Sequence, residues 1–226
     1  MIEIKNLKFK DMKEATKNTE TKKVNNLIIV DESGSMSVIR KEALAGLNET
    51  IETCKKMQEM YPDMEQRITL ISFDSGHFKI HLDNEPATKA RKLTMEDYRP
   101  GAATPLYDAI GKSVAKLNAQ TDANENVLVT IITDGEENSS NEYNLKMVKN
   151  LIEKQKKQGW TFTLIGTDNL DVEGMAGSMS IDNHLAFTED PEATKAMFAS
   201  ERVARMHYSH CLSKGVLLED GEYFKN

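Results

Sequence analysis

Four runs of β-prone apolar residues, at 27–30, 68–73, 127–133 and 160–165, constrain this chain more than any other feature. Each is short and nearly continuous, the pattern of a strand covered on both faces and not of one with a wet side. Between them the period changes to that of a helix. Ile39, Ala43, Leu47, Ile51, Cys54 and Met57 recur at spacings of three and four. Leu106, Ala109, Ile110, Val114 and Leu117 repeat the stripe after Pro105, and Leu145, Val148, Leu151, Ile152 and Gln155 form a third that closes at Gly159. This alternation predicts a three-layer α/β/α, Rossmann-like fold with a mostly parallel central sheet and right-handed crossovers. Phe78, Ile80 and Leu82 alternate with polar residues after Ser75-Gly76, which predicts one antiparallel edge strand. Residues 87–98 read as loop or short helix, 172–179 as a short helix or turn, 184–187 as a last edge strand and 191–208 as a terminal helix.

In open sheets of this class, ligands bind beyond the carboxyl ends of the strands. The first run stops at Asp31 and leads into Glu32-Ser33-Gly34-Ser35, so that a carboxylate and two spaced hydroxyls share a loop that Gly34 lets turn tightly. Alone, this loop reads either as a hard-metal site or as a Ser/Gly turn whose aspartate caps the next helix. The run at 127–133 also ends in an acid, Asp134-Gly135, and Gly101-Ala102-Ala103-Thr104-Pro105 places a hydroxyl just before a helix. All three loops can meet in one crevice.

Length and charge narrow the possible partners. The 226 residues suit one medium domain at 25–210, with an extension at 1–24 and a tail at 211–226. Ile2, Ile4, Leu7 and Phe9 give the extension the pattern of a possible edge strand. A net charge of −7 and a pI near 5.4 argue against nucleic acid or anionic membrane as the main partner. Cys54 and Cys211 are far apart and read as free thiols, and no apolar segment resembles a secretory signal, so a cytoplasmic setting is expected. In the tail, Val216, Leu217, Leu218, Tyr223 and Phe224 are expected either to pack on the domain or to be held by a partner, with the acidic 219–222 stretch exposed. Gly111-Lys112-Ser113 lacks the rest of a phosphate-binding loop and lies on a helical stripe. His207, His210 and Cys211 could share a helix face, a weak signal for a second metal site.

With those residues in place, the chain resembles the von Willebrand factor A family, in which an Asp-x-Ser-x-Ser loop, a threonine loop and a strand-terminal aspartate form a metal-ion-dependent adhesion site. Asp31, Ser33 and Ser35 match the first element, Thr104 the second and Asp134 the third. The stretch from Thr104 to Ile110 is similar to the intracellular branch of the family. The resemblance implies that Ser33, Ser35 and Thr104 coordinate a cation directly, while Asp31 and Asp134 act through water and hold the hydroxyls. Five oxygen donors without His or Cys suit Mg²⁺, or Mn²⁺ or Ca²⁺, and not Zn²⁺. An acidic side chain of a protein partner would then complete the shell, and membership of a multiprotein complex is expected from relatives inside cells.

Glu32, Glu136 and Glu137 flank these loops and are expected either to crowd the ion with negative charge, so that a partner must offer basic residues as well, or to be merely solvated or to cap helix starts. No nucleophile elbow surrounds any serine and no histidine is placed as a base, so the domain is expected to lack catalysis. The alternatives are a Mg²⁺- or Mn²⁺-assisted hydrolase or phosphotransferase using Asp31 and Asp134, and a scaffold whose metal site is vestigial.

Overall fold

A computed structural model describes residues 22–225. The possible edge strand around Ile2 to Phe9 lies outside the described residues. Among the described residues six strands form one sheet: β1 (Lys22–Asp31), β2 (Met64–Asp74), β3 (His77–Pro86), β4 (Asn126–Thr133), β5 (Trp160–Thr167) and β6 (Asn183–Phe187). Their order is β3-β2-β1-β4-β5-β6, with every pairing parallel except β2–β3. The expected α/β fold, antiparallel edge strand included, is therefore the observed one.

Among the described residues five α-helices cover the two faces: α1 (Arg40–Met60), α2 (Leu106–Asn118), α3 (Leu145–Lys156), α4 (Val172–Ser178) and α5 (Pro191–Ser213). The strand period of two divides the core between them. Leu27 and Ile29 of β1 face α2, α3 and α4 in one cluster, whereas Ile28 and Val30 face α1 and α5 in the other. Burial on this scale is worth about 1.5–3 kcal/mol for each large aliphatic side chain. The layer of α1 against α5 is tight. A Cβ on Gly46 would lie 2.1 Å from the Phe198 ring, so the two helices approach over a residue without a side chain.

Helix boundaries follow local chemistry. Asp190 caps α5 by accepting from the backbone N–H of Glu192 and Ala193, both at 2.9 Å, with Pro191 in the first turn. Asn144 caps α3, and Gly159 at φ +85° lets the chain turn back into β5. Three expectations need correction. Leu145 is exposed and Leu151 only half-buried, because α3 meets the sheet through the narrower line of Val148, Ile152 and Gln155. The terminal helix continues past Tyr208 to Ser213, since Leu212 finds a further apolar contact. In the tail, Val216 and Leu217 are exposed and only Tyr223 is fully buried, where its N–H donates to Asn183 Oδ1 (3.0 Å) and its hydroxyl to Glu201 Oε1 (3.1 Å).

Glu201 belongs to a buried polar cluster that ties α5 to the sheet. Arg205 donates to Glu201, to Asn26 Oδ1 at 2.5 Å and to Thr130 Oγ1 at 2.8 Å, which supplies the partners a buried guanidinium requires. The histidines at the end of α5 do not converge. His207 Nε2 lies 3.2 Å from Cys211 Sγ, but His210 Nδ1 pairs with the Tyr61 hydroxyl at 2.9 Å. Gly111, Lys112 and Ser113 sit inside α2, whose helical backbone cannot form a phosphate loop.

Candidate metal centre

The sheet order reverses at β1, which has β2 on one side and β4 on the other, and there the crevice beyond the strand ends opens. Residues 31 and 134, about a hundred positions apart, meet because Val30 is in register with Ile132. The Asp31 carboxylate is fully buried and fixes two segments at once. Its Oδ1 accepts the Ser33 N–H at 2.7 Å, which sets the loop turn, and its Oδ2 accepts the Thr133 hydroxyl at 2.6 Å, which ties the end of β4 to that of β1. The Ser33 and Ser35 hydroxyls are 3.3 Å apart and point at one oxygen: Asp134 Oδ1 lies 2.8 Å from Ser35 Oγ and 3.5 Å from Ser33 Oγ.

Thr104 joins from the third loop. A Cβ on Gly135 would sit 3.0 Å from Thr104 Oγ1, so the hydroxyl lies against the residue that follows Asp134. Asn138 holds this loop at both polar backbone atoms: its Oδ1 accepts Thr104 N–H at 2.8 Å and its N–H donates to Thr104 C=O at 3.1 Å. The loop also reaches the first one, where Ala102 C=O accepts the Gly34 N–H at 3.1 Å. Ala102 adopts φ +57°, a left-handed conformation that costs about 1–2 kcal/mol for a residue with a Cβ.

Electrostatics sets this crevice apart from an ordinary capped turn. Burial pushes the Asp134 carboxyl up to about 6, the Ser35 hydrogen bond opposes the rise, and the charges of Asp31 and Glu189 add to it. Asp31 is raised as well, chiefly by burial, against the hydrogen bonds from Thr133 and Ser33. Among the described residues neither carboxylate is paired with lysine or arginine. Asp134 Oδ2 is buried and accepts no hydrogen bond among the described residues. Two uncompensated buried carboxylates and an orphaned oxygen, beside three hydroxyls, make a donor set that fits a hard divalent cation. Among the described residues no group of three or more His, Cys, Asp or Glu gathers as a metal site; the candidate centre itself holds two carboxylates, and its other donors are hydroxyls.

Supporting residues appear that sequence reasoning missed or misplaced. Glu32 is not on the rim. It is fully buried and turned toward β2 and β3, where it accepts from Ser72 Oγ (2.5 Å), Lys79 Nζ (2.8 Å) and the Arg99 N–H. Its own C=O accepts the Gly101 N–H at 2.8 Å, so Glu32 anchors the threonine loop through side chain and backbone. Glu137 is engaged too: it accepts from Tyr107 N–H at the start of α2 and from Ser139 and Ser140, the capping role. Glu136 alone of the three is exposed. Tyr98 donates to the Asp31 C=O at 2.6 Å from within the segment at 87–98, and only its aromatic character in a polar stretch could have marked it.

The fold is von Willebrand factor A-like. The chain matches the vWF domain of the type V pili tip protein Mfa5 from Porphyromonas gingivalis with a TM-score of 0.60 at 12% identity, over 88% of this chain and 98% of that one. It matches the SpRpn10 VWA domain with a TM-score of 0.55 at 12% identity, over 78% and 94%. A mutant of the PilB minor pilin from Streptococcus sanguinis matches with a TM-score of 0.58 at 14% identity, over 86% of this chain but only 63% of the pilin chain. This chain thus spans less than two thirds of the pilin's length. No protein-family model and no curated protein sequence matches it.

Proposed function

We propose that this domain is a divalent-cation-dependent protein-interaction module. Asp31, Ser33, Ser35, Thr104 and Asp134 would hold Mg²⁺, or Mn²⁺ or Ca²⁺ in its place, and the cation would offer an open position to a carboxylate of a partner protein. The observation that carries this reading is the buried, unpartnered Asp134 Oδ2 beside the Ser33 and Ser35 hydroxyls. A capped turn would satisfy that oxygen with a backbone N–H, whereas a cation satisfies it and offsets the charge of Asp31 as well. Hydroxyl donors leave such an ion electrophilic, which favours capture of an outside carboxylate over a purely structural role. Similarity of fold to a pilus tip domain and to the Rpn10 domain supports a module of this kind.

Catalysis is not part of the proposal. Among the described residues no histidine hydrogen-bonds any of the five side chains, so a hydrolase would lack a placed base. A cytoplasmic setting and membership of a multiprotein complex belong to the same proposal, and the free Cys54 and Cys211 thiols support the former. Calorimetric titration of Mg²⁺, Mn²⁺ and Ca²⁺ into the protein tests the site: saturable binding that disappears in Ser33→Ala/Ser35→Ala supports it. Absence of binding for all three ions would leave a vestigial scaffold, and phosphatase turnover lost in Asp31→Ala would establish an enzyme instead.

A further inference from the structure

The two carboxylates of the candidate metal centre are not equivalent. Asp134 Oδ2 is buried and has no donor among the described residues. Both oxygens of Asp31 are taken: Oδ1 accepts the Ser33 N–H at 2.7 Å and Oδ2 accepts the Thr133 hydroxyl at 2.6 Å. One bond on each oxygen fixes the plane of the carboxylate as well as its position. Asp31 and Thr133 are both fully buried, so bulk water reaches neither bond.

Thr133 is itself held in the orientation this contact needs. Its hydroxyl has one proton to give and lies 2.6 Å from Asp31 Oδ2 and 3.0 Å from the Gly135 C=O; the charged acceptor at the shorter distance takes it. The Gly135 N–H donates back to Thr133 Oγ1 at 3.2 Å and so sets the direction of that proton. Parallel pairing of β1 with β4, with Val30 beside Ile132, brings the last residue of β4 to the end of β1.

We propose that Thr133 is a positioning residue that sets the choice of ion, by holding Asp31 back from direct contact with a cation in the centre. This role rests on the metal-binding reading above. Ca²⁺ takes about six to eight oxygens in a flexible shell, often both oxygens of one carboxylate, whereas Mg²⁺ takes about six in a near-octahedral shell and keeps several waters. A carboxylate pinned at both oxygens cannot turn to clasp an ion, yet each oxygen keeps a lone pair for a water that the ion retains. The three hydroxyls and the open oxygen of Asp134 then make a small shell, which favours Mg²⁺ or Mn²⁺ over Ca²⁺. Valine in place of Thr133 keeps the shape without the hydroxyl. Asp31 Oδ2 would lose its donor, and a bound cation would become the group able to satisfy it.

The test is calorimetric titration of Mg²⁺ and Ca²⁺ into the natural protein, Thr133→Val and Thr133→Ser. Luminescence lifetimes of Tb³⁺, an oxygen-seeking stand-in for Ca²⁺, in H₂O and D₂O count the waters on the bound ion. The natural protein should bind Mg²⁺ about tenfold more tightly than Ca²⁺. In Thr133→Val the ratio should fall to about one or reverse, with about one water fewer on Tb³⁺, while Thr133→Ser, which keeps the hydroxyl, should stay within about twofold of the natural ratio. A merely loosened fold would weaken both ions alike and leave their ratio in place. An unchanged ratio in Thr133→Val, or the same loss of it in Thr133→Ser, overturns the proposal. So does tighter binding of Ca²⁺ than of Mg²⁺ by the natural protein, a measurement that needs no variant to fold. Binding of neither ion removes the metal reading and this role with it, whereas bound Mg²⁺ with an unchanged ratio removes only the role of Thr133.

Discussion

Asp134→Asn should stabilise the protein in the absence of metal and abolish its stabilisation by metal. The Asp134 carboxyl is held at about 6 against an ordinary 3.8, so the fold prefers its protonated form. Because this value is raised in the folded state, the contribution is fully present below the ordinary value and is lost as pH rises through about 6. Two units correspond to about 3 kcal/mol, and exposure of the adjoining Ser35 brings the expected cost at pH 7 nearer to ~1–2 kcal/mol. Asparagine keeps the shape and the acceptor for Ser35 without the charge, so the metal-free variant should gain that ~1–2 kcal/mol, a rise in Tm of about 2–6 °C for a domain of this size. With Mg²⁺ at about 100 times its Kd the natural protein should gain about 2.7 kcal/mol and the variant almost nothing, which reverses their order. Urea unfolding of both proteins in EDTA and in MgCl₂ at pH 7, and again at pH 4.5, reads all of these quantities. A variant that is less stable in EDTA, or equal gains from Mg²⁺ in the two proteins, would refute the reasoning.

Three further outcomes follow from the same geometry. Metal affinity should fall by up to tenfold per pH unit below about 6, because the cation must displace the Asp134 proton, and calorimetry in buffers of different ionisation heat should count about one proton released there. Glu32→Ala should cost about 2–3 kcal/mol in urea unfolding, since it strands Ser72 and the partly exposed Lys79, whereas Glu136→Ala should stay within about 0.5 kcal/mol. Gly46→Ala should cost about 1–3 kcal/mol by driving Phe198 off α1, and Gly46→Ala with Phe198→Leu should recover part of it; additive losses would mean that the two residues do not meet.

Much of the fold was legible because its signals are local. A run such as Val127-Leu128-Val129-Thr130-Ile131-Ile132 has a single polar residue among apolar ones and no alternation that would give it a wet face, and the stripe on α2 needs only its own spacing to be read. Leu145 was misread for the same reason: periodicity shows which side of a helix is apolar but not how wide a strip the sheet can cover. Glu32 shows the limit at the candidate site. Its neighbours in sequence made it look like a rim charge, while its side chain is held by Ser72, Lys79 and Arg99, between 40 and 67 positions away. Tyr98 gave no usable pattern, because a single buried hydroxyl reaching one carbonyl leaves no period behind.

The sequence by itself determined the order of strands and helices and put Asp31, Ser33, Ser35, Thr104 and Asp134 in loops at strand ends, because apolar periodicity and its abrupt end are properties of neighbouring residues. Only the tertiary structure decided which of their oxygens meet. Setting β1 beside β4 turns a hundred-residue separation into the 2.8 Å contact of Ser35 with Asp134, and the same packing leaves Asp134 Oδ2 buried without a donor among the described residues. It also turns Glu32 inward and puts the Thr133 hydroxyl on Asp31. Burial and pairing depend on what the rest of the chain brings to each atom, and for a carboxylate those two quantities fix its charge and what it can bind.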